Sequence, residues 1–155
     1  MDDFALAPAE RTLLEALNRQ GVRFLIVGLG AAVLEGAPLA TQDIDLWFEH
    51  VGDLRIQAAA VEAGGFWIDG FGVQPPAFGG PQLERLDVVL TAHGLEPFDV
   101  EYRDAVAHQV DGVPVYVLPL HRVIASKRST GRPKDLAALP ALEATLVARR
   151  DEERS

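Results

Sequence analysis

The first part of the chain switches between helical and extended hydrophobic patterns. In residues 8–20, leucines recur at the spacing of one helix face, and Gly21 is a natural stop for that helix. Residues 23–27 form an apolar, partly β-branched run, which predicts a buried strand. The strand ends in a Gly-Leu-Gly segment, residues 28–30, which predicts a tight turn. Good helix formers in residues 31–35 predict a short helix after this turn.

The middle of the chain predicts two strands that carry the candidate aspartates. Residues 43–48 alternate acidic and apolar side chains, so Asp43 and Asp45 share one face of a strand. Residues 83–91 predict a second strand, in which Asp87 lies opposite an alternating apolar set. The segments around these strands predict a helix over 53–63, a short strand over 66–69 and a Pro- and Gly-rich loop over 74–81.

The last part predicts a hairpin followed by two helices. Asp111-Gly112 separates two apolar runs, 106–110 and 113–118, and this dipeptide is a strong two-residue hairpin signal. Helical patterns then cover residues 120–130 and 133–149. Because strands alternate with helices and a hairpin is also present, we predict an α+β fold with a mixed β-sheet and helices packed against it.

Length and composition predict one domain. The chain has 155 residues and 48% hydrophobic content, enough for one core, so we assign residues 1–148 to a single domain and 149–155 to a charged flexible tail. No apolar stretch approaches the roughly 18 residues that a bilayer crossing needs, and the acidic N-terminus is unlike a secretory signal. We therefore expect a cytoplasmic protein without a membrane partner. The absence of cysteine leaves only oxygen and imidazole as metal ligands, which favours hard cations.

Charge is distributed unevenly along the chain. A formal net charge of -9 argues against an extended electrostatic interface with a nucleic-acid backbone. However, no acidic residue occurs between Asp111 and Asp135, and both lysines of the chain, Lys127 and Lys134, lie in that gap. The gap is either a solvated basic face or a local anion site.

The Asp-x-Asp pair is the strongest chemical feature. Carboxylates at i and i+2 on a strand project side by side and repel each other unless a cation lies between them or one is protonated. Mg2+ resolves this conflict, because it binds a few carboxylates together with phosphate oxygens and water. Asp43 and Asp45 are therefore candidate metal ligands.

Residues 27–48 also carry a recognisable order of motifs. Glycines follow the first strand, a short helix comes next, and Thr-x-Asp-Ile-Asp-Leu begins at Thr41. This order resembles the nucleotidyltransferase (DNA polymerase β-like) superfamily, in particular its small prokaryotic members of the kind found in toxin-antitoxin pairs. Leu-Asp-Val around Asp87 and the closing segment 115–136 are similar to the same family, so the resemblance covers roughly residues 21–142.

The resemblance implies a nucleotidyltransferase fold and specific roles for site residues. Asp43, Asp45 and Asp87 would be the catalytic, metal-binding carboxylates for Mg2+ or Mn2+, and Asp87 would also help deprotonate the attacking hydroxyl. The residues implied to contact the nucleoside triphosphate are Gly28, Leu29, Gly30, Thr41 and Lys127. The implied reaction moves a nucleoside monophosphate from an NTP to an acceptor hydroxyl, with release of pyrophosphate. The acceptor would be an RNA end, a protein hydroxyl or a small molecule such as an antibiotic.

Two departures from the family pattern leave an alternative open. Leu29 replaces the second residue of the family's Gly-Gly or Gly-Ser pair, and Leu39 stands where Arg is frequent. The alternative is a catalytically weak or inactive nucleotide-binding protein, such as a toxin-antitoxin component with a protein partner. Asp99 and Glu101 remain alternatives to Asp87 as the third carboxylate, and Lys127 has an equal claim to a purely structural role.

For the loop at 74–81 and for the histidines, the sequence favours structural roles over catalytic ones. The loop at 74–81, with Phe78 at its centre, has two possible roles: it closes over the substrate, or it is a surface connection. The surface connection is favoured. The histidines have no metal-ligand spacing and predict surface or loop positions; they are His50, His93, His108 and His121.

Overall fold

The computed structural model describes residues 5–90 and 93–154, which form six helices and seven strands. The helices are α1 (Pro8–Arg19), α2 (Gly28–Leu34), α3 (Leu54–Glu62), α4 (Phe98–Arg103), α5 (Leu120–Thr130) and α6 (Pro133–Arg154). The strands are β1 (Phe24–Val27), β2 (Ile44–Phe48), β3 (Phe66–Ile68), β4 (Ala77–Gly79), β5 (Leu86–Val89), β6 (Val106–Val110) and β7 (Val113–Val117). No helix in this part of the chain is both long and apolar enough to span a bilayer.

The described strands form a mixed five-stranded sheet in the order β5-β2-β1-β7-β6, with β3 and β4 in a separate antiparallel pair. Strand β1 is antiparallel to β2 and parallel to β7, while β2 is parallel to β5. Strands β6 and β7 form the hairpin predicted from Asp111-Gly112, and both turn residues have positive φ, as such turns require. The predicted α+β fold with a mixed sheet is confirmed.

The hydrophobic core lies around β1, the middle strand of the sheet. All four residues of β1 are buried, because the strand has a neighbour on each edge and helices cover its faces. In α1, Leu13, Leu14 and Leu17 are completely buried, which explains the helical spacing of these leucines. This packing fixes the end of β1, from which the candidate site is built.

The structure corrects the predicted turn at residues 28–30. Strand β1 passes directly into α2 at Gly28, and no separate turn precedes the helix. Gly28 has a φ of +67°, so this single residue makes the change of direction. The helix is therefore longer than predicted and includes Leu29 and Gly30.

The region between β3 and β5 also differs from prediction. The segment 74–81 contains β4, and Phe78 is buried with its ring 5.1 Å from that of Trp67. Phe78 is therefore a core residue and does not cover a substrate. Strand β5 is shorter than the predicted 83–91 strand, whose last residue, Thr91, lies outside the described residues. The sequence pattern does not predict helix α4, because its six residues are too few for a periodic signal.

The predicted flexible tail begins inside a helix. Helix α6 continues to Arg154, and Ser155 lies outside the described residues. Arg149 donates a 2.8 Å hydrogen bond to the carbonyl oxygen of Glu35 and lies 3.2 Å from its carboxylate. This contact between distant segments explains why a charged sequence is helical here.

Candidate active site

Three aspartates meet at one end of the sheet. Asp45 lies on β2, opposite Val27 of β1 on one side and Asp87 of β5 on the other. Asp43 immediately precedes β2 and lies two residues from Asp45, so strand alternation gives the two side chains the same face. The tertiary structure thus brings Asp87 beside the Asp-x-Asp pair.

Asp45 is half-buried and Asp43 and Asp87 are exposed, and these three carboxylates differ from the buried acidic groups of the protein. Among the described residues, no side-chain hydrogen bond or ion pair reaches the carboxylates of Asp43, Asp45 or Asp87. Each buried acid, by contrast, has a cationic partner. These pairs are Glu10 with Arg85, Glu35 with Arg149, Glu101 with Arg122, and Asp135 with Lys127 and Arg132.

Crowding and burial perturb the protonation of this acidic group. Burial, together with the charges of Asp87 and Asp43, raises the pKa of Asp45 from 3.8 to about 6. Lys127 and Lys134 oppose this rise less strongly. Burial and the charge of Asp43 also raise the pKa of Asp87. An acidic site with raised pKa values and no bound cation is electrostatically strained in its ionised form.

This strain predicts that Asp45→Asn stabilises the metal-free protein. Because the folded-state pKa of Asp45 is raised to about 6, stability falls as pH rises from about 4 to 6. At pH 7 the variant should be about 1–2 kcal/mol more stable, after allowance for partial solvent screening of the shift. Urea unfolding with a chelator present measures this difference, which should disappear below about pH 4. Asp99→Asn, at an exposed position on α4, is the matched control. A less stable Asp45→Asn would contradict the expectation.

The start of α2 packs tightly against Asp45. A Cβ atom placed on Gly28 would overlap Oδ2 of Asp45, so a side chain at position 28 would displace the carboxylate. The positive φ of Gly28 adds a second reason for glycine at this position. The backbone of residue 28 therefore borders the acidic group directly.

A cationic group lies across from the aspartates, where α5 turns into α6. Lys127 Nζ donates a 3.0 Å hydrogen bond to Oδ1 of Asp135, and Arg132 Nε donates one of 2.7 Å to Oδ2. Burial acts to raise the pKa of Asp135, but the hydrogen bonds from Arg132 and Lys127 outweigh it and lower the pKa to about 2. Gly131, with a φ of +66°, ends α5 and lets α6 fold back so that these groups meet. Asp135 is an ionised anchor for both cations.

Asp45 and the cationic group border a common cleft of about 340 Å3. Asp45 and Gly28 line one part, and Lys127, Arg132 and Asp135 line another. Neither Asp43 nor Asp87 belongs to the described lining; both lie beside Asp45. The apolar wall of the cleft consists of Val27, Val89, Leu95, Leu118 and Val123.

The lysine retains capacity for a ligand in this cleft. Its side chain is only 15% exposed, yet within the described chain it makes a single hydrogen bond, to Asp135. An ammonium group has three donors, so two remain for an anion. The cleft therefore combines carboxylates for a cation with fixed donors for an anion.

The donor set fits a hard divalent cation of the Mg2+ type. Carboxylate oxygens without cationic partners are the ligands that Mg2+ prefers, and a cation would relieve the raised pKa of Asp45. The described residues contain no group of three or more acidic or histidine side chains arranged to hold a metal by themselves. This agrees with the usual binding of Mg2+ in proteins through one or two carboxylates plus substrate phosphates and water.

Several predicted contact residues lie away from the cleft lining. Leu29 is partly exposed on α2 and Gly30 is buried in the same helix. Thr41 lies before β2, where its hydroxyl oxygen is 3.1 Å from the carbonyl oxygen of Asp43 and accepts from the Asp43 backbone N–H at 3.3 Å. Of the predicted triphosphate contacts, Gly28 and Lys127 are the two that line the described cleft.

The alternatives to Asp87 are placed elsewhere. Glu101 is buried and accepts hydrogen bonds of 3.0 and 2.6 Å from Arg122. Asp99 is exposed on α4. Neither residue contributes to the perturbed pKa of Asp45, whereas Asp87 does. The geometry therefore favours Asp87 as the third carboxylate of the group.

Sequence reasoning does not assign Asp135 or His93 to the cleft. The sequence around Asp135 predicts only a pairing partner at a helix start, and the acid-free gap that ends at this residue is the available signal. For His93 the sequence predicts a surface or loop position; the residue is exposed, but it also lines the cleft. No local sequence pattern indicates that role for His93.

This chain shares its fold with proteins of known structure. No protein-family model matches the chain, and no curated protein is significantly similar to it. The structure is similar to the crystal structure of ANT(2″)-Ia in complex with adenylyl-2″-tobramycin, with a TM-score of 0.60, 17% identity and coverage of 92% of this chain and 90% of that chain. It is also similar to the solution structure of the antibiotic-resistance factor ANT(2″)-Ia, with a TM-score of 0.59, 15% identity and coverage of 94% and 91%. The toxin-antitoxin association is not tested by these likenesses and stays a prediction. The chain adopts the nucleotidyltransferase fold that its sequence resemblance implied.

Proposed function

We propose that this protein is a metal-dependent nucleotidyltransferase that moves a nucleoside monophosphate from an NTP to an acceptor hydroxyl and releases pyrophosphate. One observation carries the proposal: the carboxylate of Asp45, which Asp43 and Asp87 crowd and which has no cationic partner among the described residues, borders the same cleft as a fixed pair of cations. A triphosphate with a divalent cation complements both groups at once. The fold shared with ANT(2″)-Ia supports this reaction class.

The acidic group would hold Mg2+ or Mn2+. Asp43 and Asp45 would be the main protein ligands, and Asp87 would complete a second metal position beside Asp45. When bound, the divalent cation supplies charge neutralisation for the triphosphate, which is the principal requirement of nucleotidyl transfer. Gly28 leaves the Asp45 carboxylate in the position needed to serve as a ligand.

Protein side chains accept the proton of the acceptor hydroxyl and stabilise the departing pyrophosphate. The acceptor oxygen forms a bond to the α-phosphorus, and the bond between that phosphorus and the bridging oxygen breaks. Asp87, which lies beside Asp45 on the neighbouring strand, takes the proton of the acceptor hydroxyl. Lys127 and Arg132, both held by Asp135, donate to the departing pyrophosphate.

The nucleoside would lie against the apolar wall of the cleft. Val89 belongs to β5, Leu95 lies before α4, and Leu118 and Val123 lie around the start of α5. Such a wall buries a base or sugar face without demanding one particular base. This surface complements the charged ends of the cleft.

Among the acceptor classes, a cationic small molecule is favoured. A net charge of -9 repels an RNA end but attracts a polyamine sugar. The crystal structure of ANT(2″)-Ia contains adenylyl-2″-tobramycin, an adduct of this chemical class. Tobramycin is therefore the first acceptor to test, ahead of RNA and protein hydroxyls.

A second candidate function has one observation in its favour. In this candidate the chain binds Mg2+ and NTP without transferring the nucleotide. Leu29 and Leu39, which depart from the family pattern, support the same interpretation. This candidate is the inactive nucleotide-binding protein, with a protein partner as its effector.

The test is transfer of label from each α-32P-labelled NTP, with Mg2+, to tobramycin, RNA or protein extract in separate reactions. We expect labelling of one acceptor class, no labelling after chelation, and at least about a 100-fold loss of rate in Asp45→Asn. Asp99→Asn, at an exposed position, should retain the wild-type rate. Titration calorimetry that detects binding of NTP with Mg2+, but without any labelling, would favour the second candidate. No nucleotide binding at all would overturn both.

A further inference from the structure

His93 is the only residue with a ring among the described residues that line the cleft. The rest of this lining is aliphatic, hydroxyl-bearing or charged, apart from one glycine. His93 is exposed, and within the described part of the chain no hydrogen bond or ion pair holds its imidazole. By contrast, Nε2 of His108 lies 2.7 Å from the carboxylate of Glu35. The proposed metal and pyrophosphate chemistry leaves the His93 ring unused.

The turn that carries His93 is fixed against the rest of the protein. Gly94 has a φ of +74°, and a Cβ atom placed on it would lie 2.5 Å from Cβ of Ser129 and 3.0 Å from the carbonyl oxygen of Ala125, both on α5. Leu95 is partly buried, packs against the hydrophobic core and lines the cleft itself. The backbone that follows His93 is therefore held in place before a ligand binds, which lowers the entropic cost of a contact.

Strand β5 gives the order of features along this side of the cleft. Asp87 and Val89 share one face of the strand, and Val89 is two residues, roughly 7 Å, further along it. His93 follows the end of the strand. His93 is not among the groups that shift the pKa of Asp45 or Asp87, so its ring lies apart from the acidic group. The chain thus presents carboxylate, then apolar side chain, then ring.

A nucleotide has the matching order of phosphate, sugar and base. With the cation and the α-phosphate at the acidic group, the sugar covers the apolar wall and the base reaches His93. The ring is not needed for the phosphates, because Lys127 and Arg132 already supply fixed donors. An aromatic side chain stacks on every base, and the stacking strength sets modest base preferences. A purine presents the larger ring surface.

We propose that His93 stacks on the nucleobase and that the cleft consequently binds purine nucleoside triphosphates more tightly than pyrimidine ones. The inference rests on the proposed nucleotide binding at this cleft, and it assigns the end of the cleft that the transfer chemistry leaves open. His93 contributes to binding and takes no proton from the acceptor. Its loss should therefore raise KM and the dissociation constant of NTP, with kcat nearly unchanged.

The test is titration calorimetry of the full chain with ATP and Mg2+, without acceptor. Inorganic tripolyphosphate with Mg2+ is the matched ligand that lacks a base. His93→Ala should weaken ATP binding by about 5- to 20-fold and leave tripolyphosphate binding unchanged. His93→Phe keeps a ring and should bind ATP like wild type, whereas His93→Gln keeps a polar group without the ring and should resemble His93→Ala. His50→Ala, at a side chain that is 76% exposed and outside the described cleft lining, is the control.

Base preference supplies a second readout that a purely structural role would not change. Wild type should bind ATP and GTP more tightly than CTP and UTP, by about threefold or more. His93→Ala should remove most of this difference, because the aliphatic wall that remains has no ring to stack on a base. An unchanged preference in His93→Ala would contradict stacking by His93.

Other outcomes also overturn the proposal. Equal losses of ATP and tripolyphosphate binding in His93→Ala would assign His93 to the phosphates. Unchanged ATP binding with slower transfer would assign it to the acceptor or to proton transfer. Wild-type affinity in His93→Gln, with His93→Phe at the level of His93→Ala, would replace stacking by a hydrogen bond. A wild-type chain that binds no NTP would overturn the proposed function and this inference together, whereas equal ATP affinity of wild type and His93→Ala overturns the inference alone.

Discussion

Replacement of Asp135 by alanine should destabilise the protein by about 3–5 kcal/mol, because it leaves the buried Lys127 without its partner. Asp135 is completely buried, and its ionised form is held by both Lys127 and Arg132. Urea unfolding at pH 7 measures the loss. Since the folded-state pKa of Asp135 is lowered to about 2, this stabilisation is present above about pH 4 and is lost as pH falls toward 2.

Helix α6 supplies a matched control for this variant. Glu143 forms an ion pair with Arg128, but both side chains are largely exposed, at 43% and 61%. Glu143→Ala should therefore cost no more than about 1 kcal/mol. Equal losses in Asp135→Ala and Glu143→Ala would contradict the assignment of Asp135 as a buried anchor.

Replacement of Asp87 by asparagine should lower kcat for nucleotidyl transfer by about 100- to 10,000-fold, the usual range for loss of a general base. The dissociation constant for NTP with Mg2+ should change by less than about tenfold, because Asp45 and Lys127 remain in the cleft. Rapid-quench transfer assays and titration calorimetry separate these effects.

The same assays distinguish Asp87 from the other acidic candidates. Asp99→Asn should leave kcat unchanged, because Asp99 lies on α4 and does not influence Asp45, whereas Asp87 does. Full activity in Asp87→Asn, together with loss in Asp99→Asn, would move the base to α4. A weakened NTP affinity with unchanged kcat in Asp87→Asn would assign Asp87 to metal binding alone.

The pH dependence of transfer gives an independent check. Without metal, burial and the charge of Asp43 raise the pKa of Asp87. Because a bound cation favours the ionised carboxylates, the acid limb of the kcat profile should move to lower pH as the Mg2+ concentration is raised. The limb should be absent from the residual activity of Asp87→Asn.

Local sequence determined the parts of this protein that depend on near neighbours. The hairpin at Asp111-Gly112 followed from a dipeptide that tolerates positive φ, and helix α5 ended at Gly131 for the same reason. The alternation of acidic and apolar residues along 43–48 is enough to place Asp43 and Asp45 on one face of a strand. The family resemblance added Asp87 and Lys127 as candidates.

The tertiary structure decided which distant residues meet. Asp45 and Asp87 are 42 positions apart and become neighbours only because β2 and β5 pair in parallel, a choice set by packing of the whole core. Asp135 became an anchor for Lys127 and Arg132 because α6 folds back after Gly131 and buries its carboxylate. Periodicity reports which face of an element is apolar, but burial of a charge depends on what packs against that face. The sequence by itself therefore determined the candidate ligands, and the fold determined that the crowded carboxylate of Asp45 and the anchored cations share one cleft.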